Sequence, residues 1–204
     1  MKKILDLKNK TILVAGAGGR IGSKIVEDLL SLEARVVAAD IKLPTSSQIS
    51  ELGSSSKSIC SVKLDITDVK SINNALEECS NSFGTIDCAI NVSYPRNDDY
   101  GKEFMDVSYE SFTENLSLHL GGYFLFMQQC SRYSLERDIE FSLVNFSSIY
   151  GNIAPKFSIY EGTAMTTPVE YAAIKSAIQH LSLYVSAYTK GSKFRVNCIS
   201  PGGI

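Results

Sequence analysis

The feature that most restricts the fold is a junction near the amino terminus. Thr11–Ala15 is a short apolar run that reads as a buried strand, and it passes directly into Gly16-Ala17-Gly18-Gly19-Arg20-Ile21-Gly22. Apolar Ile21, Ile25, Val26, Leu29 and Leu30 then recur at helical spacing, which predicts a helix over residues 21–30. In this strand–turn–helix setting Gly16 and Gly19 permit a tight turn and a close backbone approach. Gly22 lets the helix pack near the strand, and the free N–H groups of the helix start face an anion such as a dinucleotide pyrophosphate. Arg20 adds a cation at the helix start. The alternative is a glycine-rich turn with no ligand, and the acid that follows argues against it.

That acid is Asp40, at the end of a second strand predicted over residues 35–39 and eighteen positions after Gly22. A carboxylate there accepts both hydroxyls of an adenosine ribose and repels a 2′-phosphate, which favours NAD over NADP. Lys42 nearby weakens the discrimination, and a strand-end turn aspartate is the alternative role. Further strands are expected over residues 61–64 and 88–92, at Phe141–Phe146 and at Phe194–Ile199. Helices are expected over 67–79, over 116–130 and at Val169–Tyr188. Alternating strands and helices imply an α/β fold with a parallel sheet between helix layers. Residues 42–57 and 93–107 read as loops, the second long enough to meet a substrate.

Composition narrows the partners. The 204 residues are 44% hydrophobic and 21% charged, enough apolar content for one domain with a sizeable core. A net charge of −2 gives no positive field for nucleic acid. No apolar run reaches the roughly twenty residues of a membrane-spanning helix, and the start lacks a secretory signal, so a cytoplasmic location is expected. Five scattered cysteines without C-x-x-C spacing and only two histidines argue against a disulfide scaffold or a metal site.

Two side-chain pairs carry chemistry. Tyr171 and Lys175 lie four apart in a predicted helix, so they share a face, and an ammonium beside a phenol favours the phenolate. Such a tyrosine can exchange a proton with an alcohol or carbonyl oxygen during hydride transfer. The same spacing also occurs on solvated helix faces. Ser148 follows the fifth strand at the carboxyl end of the sheet, where its hydroxyl can hold a carbonyl oxygen or simply satisfy a turn.

Together with Asp65, Asn91, the Asn145-Phe146-Ser147-Ser148 run and the terminal Arg195-Val196-Asn197-Cys198-Ile199-Ser200-Pro201-Gly202-Gly203, these motifs resemble the short-chain dehydrogenase/reductase family along essentially the whole chain. The resemblance implies a single Rossmann-type domain, a doubly wound parallel sheet in three αβα layers, and a nicotinamide cofactor. It implies that Tyr171 is the general acid/base, that Ser148 orients the reacting oxygen and that Lys175 binds the nicotinamide ribose. The cofactor-binding set it implies is Gly16, Gly18, Gly19, Arg20, Ile21, Gly22, Asp40, Asp65, Ile66, Asn91, Val92, Ser93, Tyr171, Lys175, Pro201 and Gly202. More narrowly, residues 149–157 and 169–176 resemble the flagellin-modification protein A group, which implies a sugar or amino-sugar precursor of surface glycan as the small-molecule substrate. The insert at residues 156–167 offers hydroxyls and Glu161 to such a substrate, or else merely covers the sheet end.

The chain also departs from the family pattern. His119 stands where the family has an asparagine that holds a proton-relaying water, with Asn115 one turn earlier. His119 is expected to face the site and bind water or shuttle a proton, its ordinary pKa lying near working pH; a satisfied core histidine is the alternative. Where many members read Asn-Asn-Ala-Gly, this chain has Ile90-Asn91-Val92-Ser93. The family usually continues past the Pro-Gly turn into a last strand, so the domain is expected to be truncated, with the sixth strand at the sheet edge. The helices at 116–130 and Val169–Tyr188 look apolar enough to form a homo-oligomer seam, as dimer or tetramer. Two other functions stand beside the enzyme: a catalytically weak NAD-binding or assembly subunit, and a sugar-nucleotide epimerase, for whose second domain the chain has no room.

Overall fold

The computed structural model describes residues 6–42, 57–163 and 165–202. Its strands are β1 (Thr11–Ala15), β2 (Arg35–Asp40), β3 (Ile59–Lys63), β4 (Cys88–Asn91), β5 (Phe141–Phe146) and β6 (Phe194–Ile199). Its main helices are α1 (Arg20–Ser31), α2 (Val69–Phe83), α3 (Tyr109–Asn115), α4 (Gly121–Arg137) and α5 (Val169–Tyr188). The strands form one sheet in the order β3-β2-β1-β4-β5-β6, parallel throughout. Strand order reverses between β2-β1 and β1-β4, so a crevice opens there at the carboxyl ends.

Alternation along the strands builds a core on each face. Leu13 and Ala15 point to one side with Val37 and Ala39, joined by Ile72 and Leu76 of α2, Phe126 and Met127 of α4, and Ile174 and Ile178 of α5. Ile12 and Val14 point to the other side and meet Val26 and Leu29 of α1. With both faces covered the central strands are apolar on both sides, which is why β1 is buried at all five positions. This is the three-layer αβα arrangement expected, with β6 at one sheet edge among the described residues.

Boundaries moved where caps decide them. Asp68 accepts the Lys70 N–H at 2.9 Å and starts α2 two residues after the expected position. Gly84, at φ 83°, ends that helix beyond the expected residue 79. The helix expected over 116–130 begins earlier, at Tyr109, because Ser108 caps it by accepting the Ser111 N–H at 3.1 Å. It then runs through a π-helical turn, Leu116–Leu120, into α4. Residues 93–107 form a loop broken only by a 3-10 turn at Phe104–Asp106. Of the loop expected over 42–57, residues 43–56 lie outside the described residues.

Candidate active site

The glycine turn is built from its backbone. Gly16 sits at φ +86°, and a Cβ there would stand 2.8 Å from the Ser93 nitrogen, so only glycine lets β1 and the β4 loop meet. A Cβ on Gly22 would stand 2.0 Å from the Gly16 carbonyl oxygen, which locks the first turn of α1 against the strand end. The Gly18 N–H donates to Asp40 Oδ2 at 2.9 Å and the Lys42 N–H to Oδ1 at 3.1 Å, fixing that carboxylate at the tip of β2. No acidic side chain lies in the first turn of α1, so its N–H groups face the cleft without a competing anion.

These residues border a cleft of about 790 Å³. Of the expected set, Gly16, Gly18, Gly19, Asp40, Asp65, Ile66, Val92 and Ser93 line it. Arg20 and Ile21 open α1 beside it, and Asn91 is buried beneath, its Oδ1 accepting the Ser93 N–H at 3.1 Å while Nδ2 has no partner among the described residues. Asp65 is held by Thr67, whose N–H and hydroxyl both donate to Oδ1. Pro201 and Gly202 lie further along, against the turn after β5: the Ile149 N–H donates to the Pro201 carbonyl at 3.0 Å, and a Cβ on Gly202 would strike Ile149. The cradle fits a dinucleotide, with a close backbone approach, free helix-start donors and an acid at the second strand tip.

The candidate proton-handling groups sit past one aromatic ring, Tyr94, which no motif in the sequence singles out. Its centroid is 5.9 Å from that of Tyr171 and 4.9 Å from that of His119, and the Lys175 ammonium stands 5.6 Å from it. Lys175 Nζ is also 5.4 Å from the Tyr123 ring centroid and 5.6 Å from that of Tyr171, so three electron-rich faces surround the cation. It donates to the Phe146 carbonyl at 2.8 Å. Burial still pushes its pKa down to about 8, so the ammonium persists below that pH and is lost above it.

His119 faces this cluster, its Nε2 3.5 Å from Lys175 Nζ. The expectation that it titrates near working pH is corrected: burial, and after it the Lys175 charge, push its pKa down to about 2. The ring is therefore neutral, and with Nε2 turned to the ammonium its proton is assigned to Nδ1, which has no partner among the described residues. The π-helical turn presents this side chain to the site, a frequent use of such turns.

Ser148 is buried, and its Oγ accepts the Tyr150 N–H at 3.2 Å, which leaves its hydroxyl proton without an acceptor among the described residues. Gln179, one turn beyond Lys175, ties the serine turn to α5. Its amide donates to Ser147 Oγ at 2.9 Å, to the Ser148 carbonyl at 3.3 Å and to Ser200 Oγ at 3.1 Å. Its i+4 spacing from Lys175 was a readable signal. The Tyr123 hydroxyl donates towards the Asn91, Ser93 and Phe146 carbonyls and so clamps the tips of β4 and β5. Nothing local in the sequence marks Tyr123 or Tyr94, because their partners lie on other strands and helices.

The chain is similar to known proteins in sequence and in fold. A family model described as Enoyl-(Acyl carrier protein) reductase matches residues 16–204. The chain is 37% identical over 201 residues to the post-translational flagellin modification protein A of Campylobacter coli, covering 97% of this chain and 78% of that protein. It is 28% identical over 200 residues to a 2,5-dichloro-2,5-cyclohexadiene-1,4-diol dehydrogenase of Sphingobium indicum, covering 98% and 74% of the two chains. Among solved structures, a short chain dehydrogenase from Leptospira borgpetersenii with bound NAD+ superposes with a TM-score of 0.81 at 32% identity, covering 98% of this chain and 73% of that one.

Proposed function

This chain belongs to the short-chain dehydrogenase/reductase family and is an NAD(P)-dependent oxidoreductase acting on CH–OH groups, and from that premise we propose that it uses NAD to interconvert an alcohol and a carbonyl on a sugar or amino-sugar precursor of surface glycan. The observation that carries the chemistry is the Lys175 ammonium, held among tyrosine rings beside Tyr171. When bound, the nicotinamide accepts or supplies the hydride. Ser148 donates its free hydroxyl proton to the substrate oxygen and holds it in place. Tyr171 takes the proton of the substrate hydroxyl in oxidation and returns one to the carbonyl oxygen in reduction. His119 stays neutral and accepts from Lys175, which keeps the ammonium aimed at the tyrosines.

Gly16, Gly18, Gly19, Arg20, Ile21 and Gly22 hold the pyrophosphate in this reading, with Asp40 on the adenosine ribose, Asp65 and Ile66 beside the adenine, and Asn91, Val92, Ser93, Pro201 and Gly202 along the nicotinamide half. Asp40 favours NAD by repelling a 2′-phosphate. The sugar substrate is supported by the likeness to the Campylobacter coli protein and by the hydroxyls of Tyr150, Tyr160 and Thr167, which form a ladder. We assign the work to the cytoplasm; among the described residues no helix is long and apolar enough to cross a membrane. Self-association is supported by exposed Leu183, Tyr184 and Tyr188 on α5 and Phe124 on α4, and light scattering that found only monomers would remove it.

The test is spectrophotometric. Purified protein with NAD or NADH and a panel of sugars, sugar phosphates and nucleotide sugars changes absorbance at the reduced-nicotinamide band with at least one member. Cofactor binding without turnover on any member would instead favour an NAD-binding assembly subunit.

A further inference from the structure

Arg96 has no role in the scheme above, yet it lines the same cleft as the glycine turn. Its guanidinium lies 5.3 Å from the Tyr94 ring centroid and 5.9 Å from that of Tyr100, and the two tyrosine hydroxyls are hydrogen-bonded to each other. It is exposed, and no ion pair among the described residues includes it. Asp99 pairs with Lys102 at 2.9 Å, and Asp98 and Asp99 line a separate cavity with Glu110 and Glu114. Glu114 in turn accepts from Asn97 at 2.7 Å. Burial holds the Tyr94 phenol up at about 12 and raises the Tyr100 phenol as well, so neither neutralises the guanidinium as a phenolate.

We propose that Arg96, on its Tyr94–Tyr100 platform, binds an anionic substituent of the substrate, a carboxylate or a phosphate, while the reacting carbon faces Tyr171. Tyr94 bridges the two positions, with the guanidinium against one part of its ring and the Tyr171 ring against another. The guanidinium lies 5.3 Å and the Tyr171 ring centroid 5.9 Å from the Tyr94 centroid. A guanidinium offers paired parallel donors to a carboxylate or phosphate, and stacking on two rings fixes its plane beforehand. This deepens the reading of the substrate as a sugar and rests on it: the sugar is an acidic or phosphorylated one.

Isothermal titration of the protein–NADH complex with matched pairs, galactose against galacturonate and glucose against glucose 6-phosphate, tests the proposal. Wild type binds at least one anionic member about tenfold or more tightly than its neutral partner, and which pair shows the gap tells carboxylate from phosphate. Arg96→Gln erases the gap and Arg96→Lys keeps part of it, while both leave NADH affinity within about twofold of wild type. No gap in wild type, no binding of any member, or a gap that survives Arg96→Gln would overturn the proposal. So would a loss of NADH affinity in Arg96→Gln, because the side chain would then serve the cofactor. Hydride transfer is followed separately by absorbance. A charge preference without turnover keeps the subsite and removes the oxidoreductase reading of the sugar, whereas turnover without charge preference does the reverse.

Discussion

The two walls of the cleft are held by different means. On the cofactor side the main chain does the fixing: the Gly16 N–H donates to the Ala39 carbonyl at 2.9 Å, the Gly19 N–H to Gly16 at 3.1 Å, and the Gly18 N–H to Asp40. On the other side the loop 93–107, and beyond the cleft lining the described residues of the insert 156–167, are tied down by side chains. Tyr94 bonds Tyr100, Asn97 and Asn115 exchange hydrogen bonds, and Thr167 donates to the Tyr160 hydroxyl at 2.9 Å. A wall made of backbone and glycine has almost no freedom of residue choice. A wall made of side chains can be rewritten one residue at a time, which suits the part that must recognise a particular substrate.

The sharpest way to break the comparison is to add one methyl group to the backbone wall. Gly22→Ala puts a carbon where 2.0 Å separates it from the Gly16 oxygen, so α1 must shift. The expected cost is about 2–3 kcal/mol in urea unfolding together with loss of measurable NAD binding. A variant as stable as wild type with unchanged NAD affinity would show that the turn is not built as described.

A side chain reaching from the same wall should have a smaller, more selective effect. Asp40→Ala removes the carboxylate proposed to meet the ribose and frees the Gly18 and Lys42 N–H groups to face a 2′-phosphate. NAD is expected to weaken by about tenfold, roughly 1.4 kcal/mol, and NADP to gain. Calorimetry with both cofactors reads the result, and NADP that already binds better than NAD to wild type would contradict it.

A pH-dependent effect belongs to the buried imidazole between the walls. Because the His119 pKa is depressed to about 2 in the folded chain, the unfolded chain alone takes up its proton between the ordinary value of 6.5 and that lower one. Stability therefore falls as pH drops through this window, by up to about 1.4 kcal/mol per pH unit from this group. Lys175, depressed from 10.5 to about 8, has the same sign in a different window: its contribution makes the fold more stable as pH rises from 8 towards 10.5. His119→Asn should flatten the decline between pH 6.5 and 5 relative to wild type, and parallel unfolding midpoints across that range would refute the assignment.

How much of this was legible follows the same division. The glycine turn, Asp40, β5, β6 and α5 were readable because their signals are local: glycine spacing, β-branched runs and helical periodicity. The start at Tyr109 was missed because the cap at Ser108 lies inside a polar stretch that reads as loop, and the π-helical turn has no sequence period of its own. Tyr94 reads as a loop residue, although it connects the cleft to Tyr171, His119 and Lys175, because its contacts join separate elements. His119 was read at its ordinary pKa, since charge state depends on burial and on an ammonium 56 positions away in sequence. Packing across elements decided each of these, and no spacing rule carries that information.

The most direct test of the account is Tyr171→Phe, assayed for NAD binding and for hydride transfer on the best substrate of the wild-type panel. The account predicts NAD affinity within about threefold of wild type and a turnover number lower by about 10²–10⁴-fold, the range expected when a positioned acid/base is removed. Turnover equal to wild type would contradict it, because the proton would then be passing through some other group.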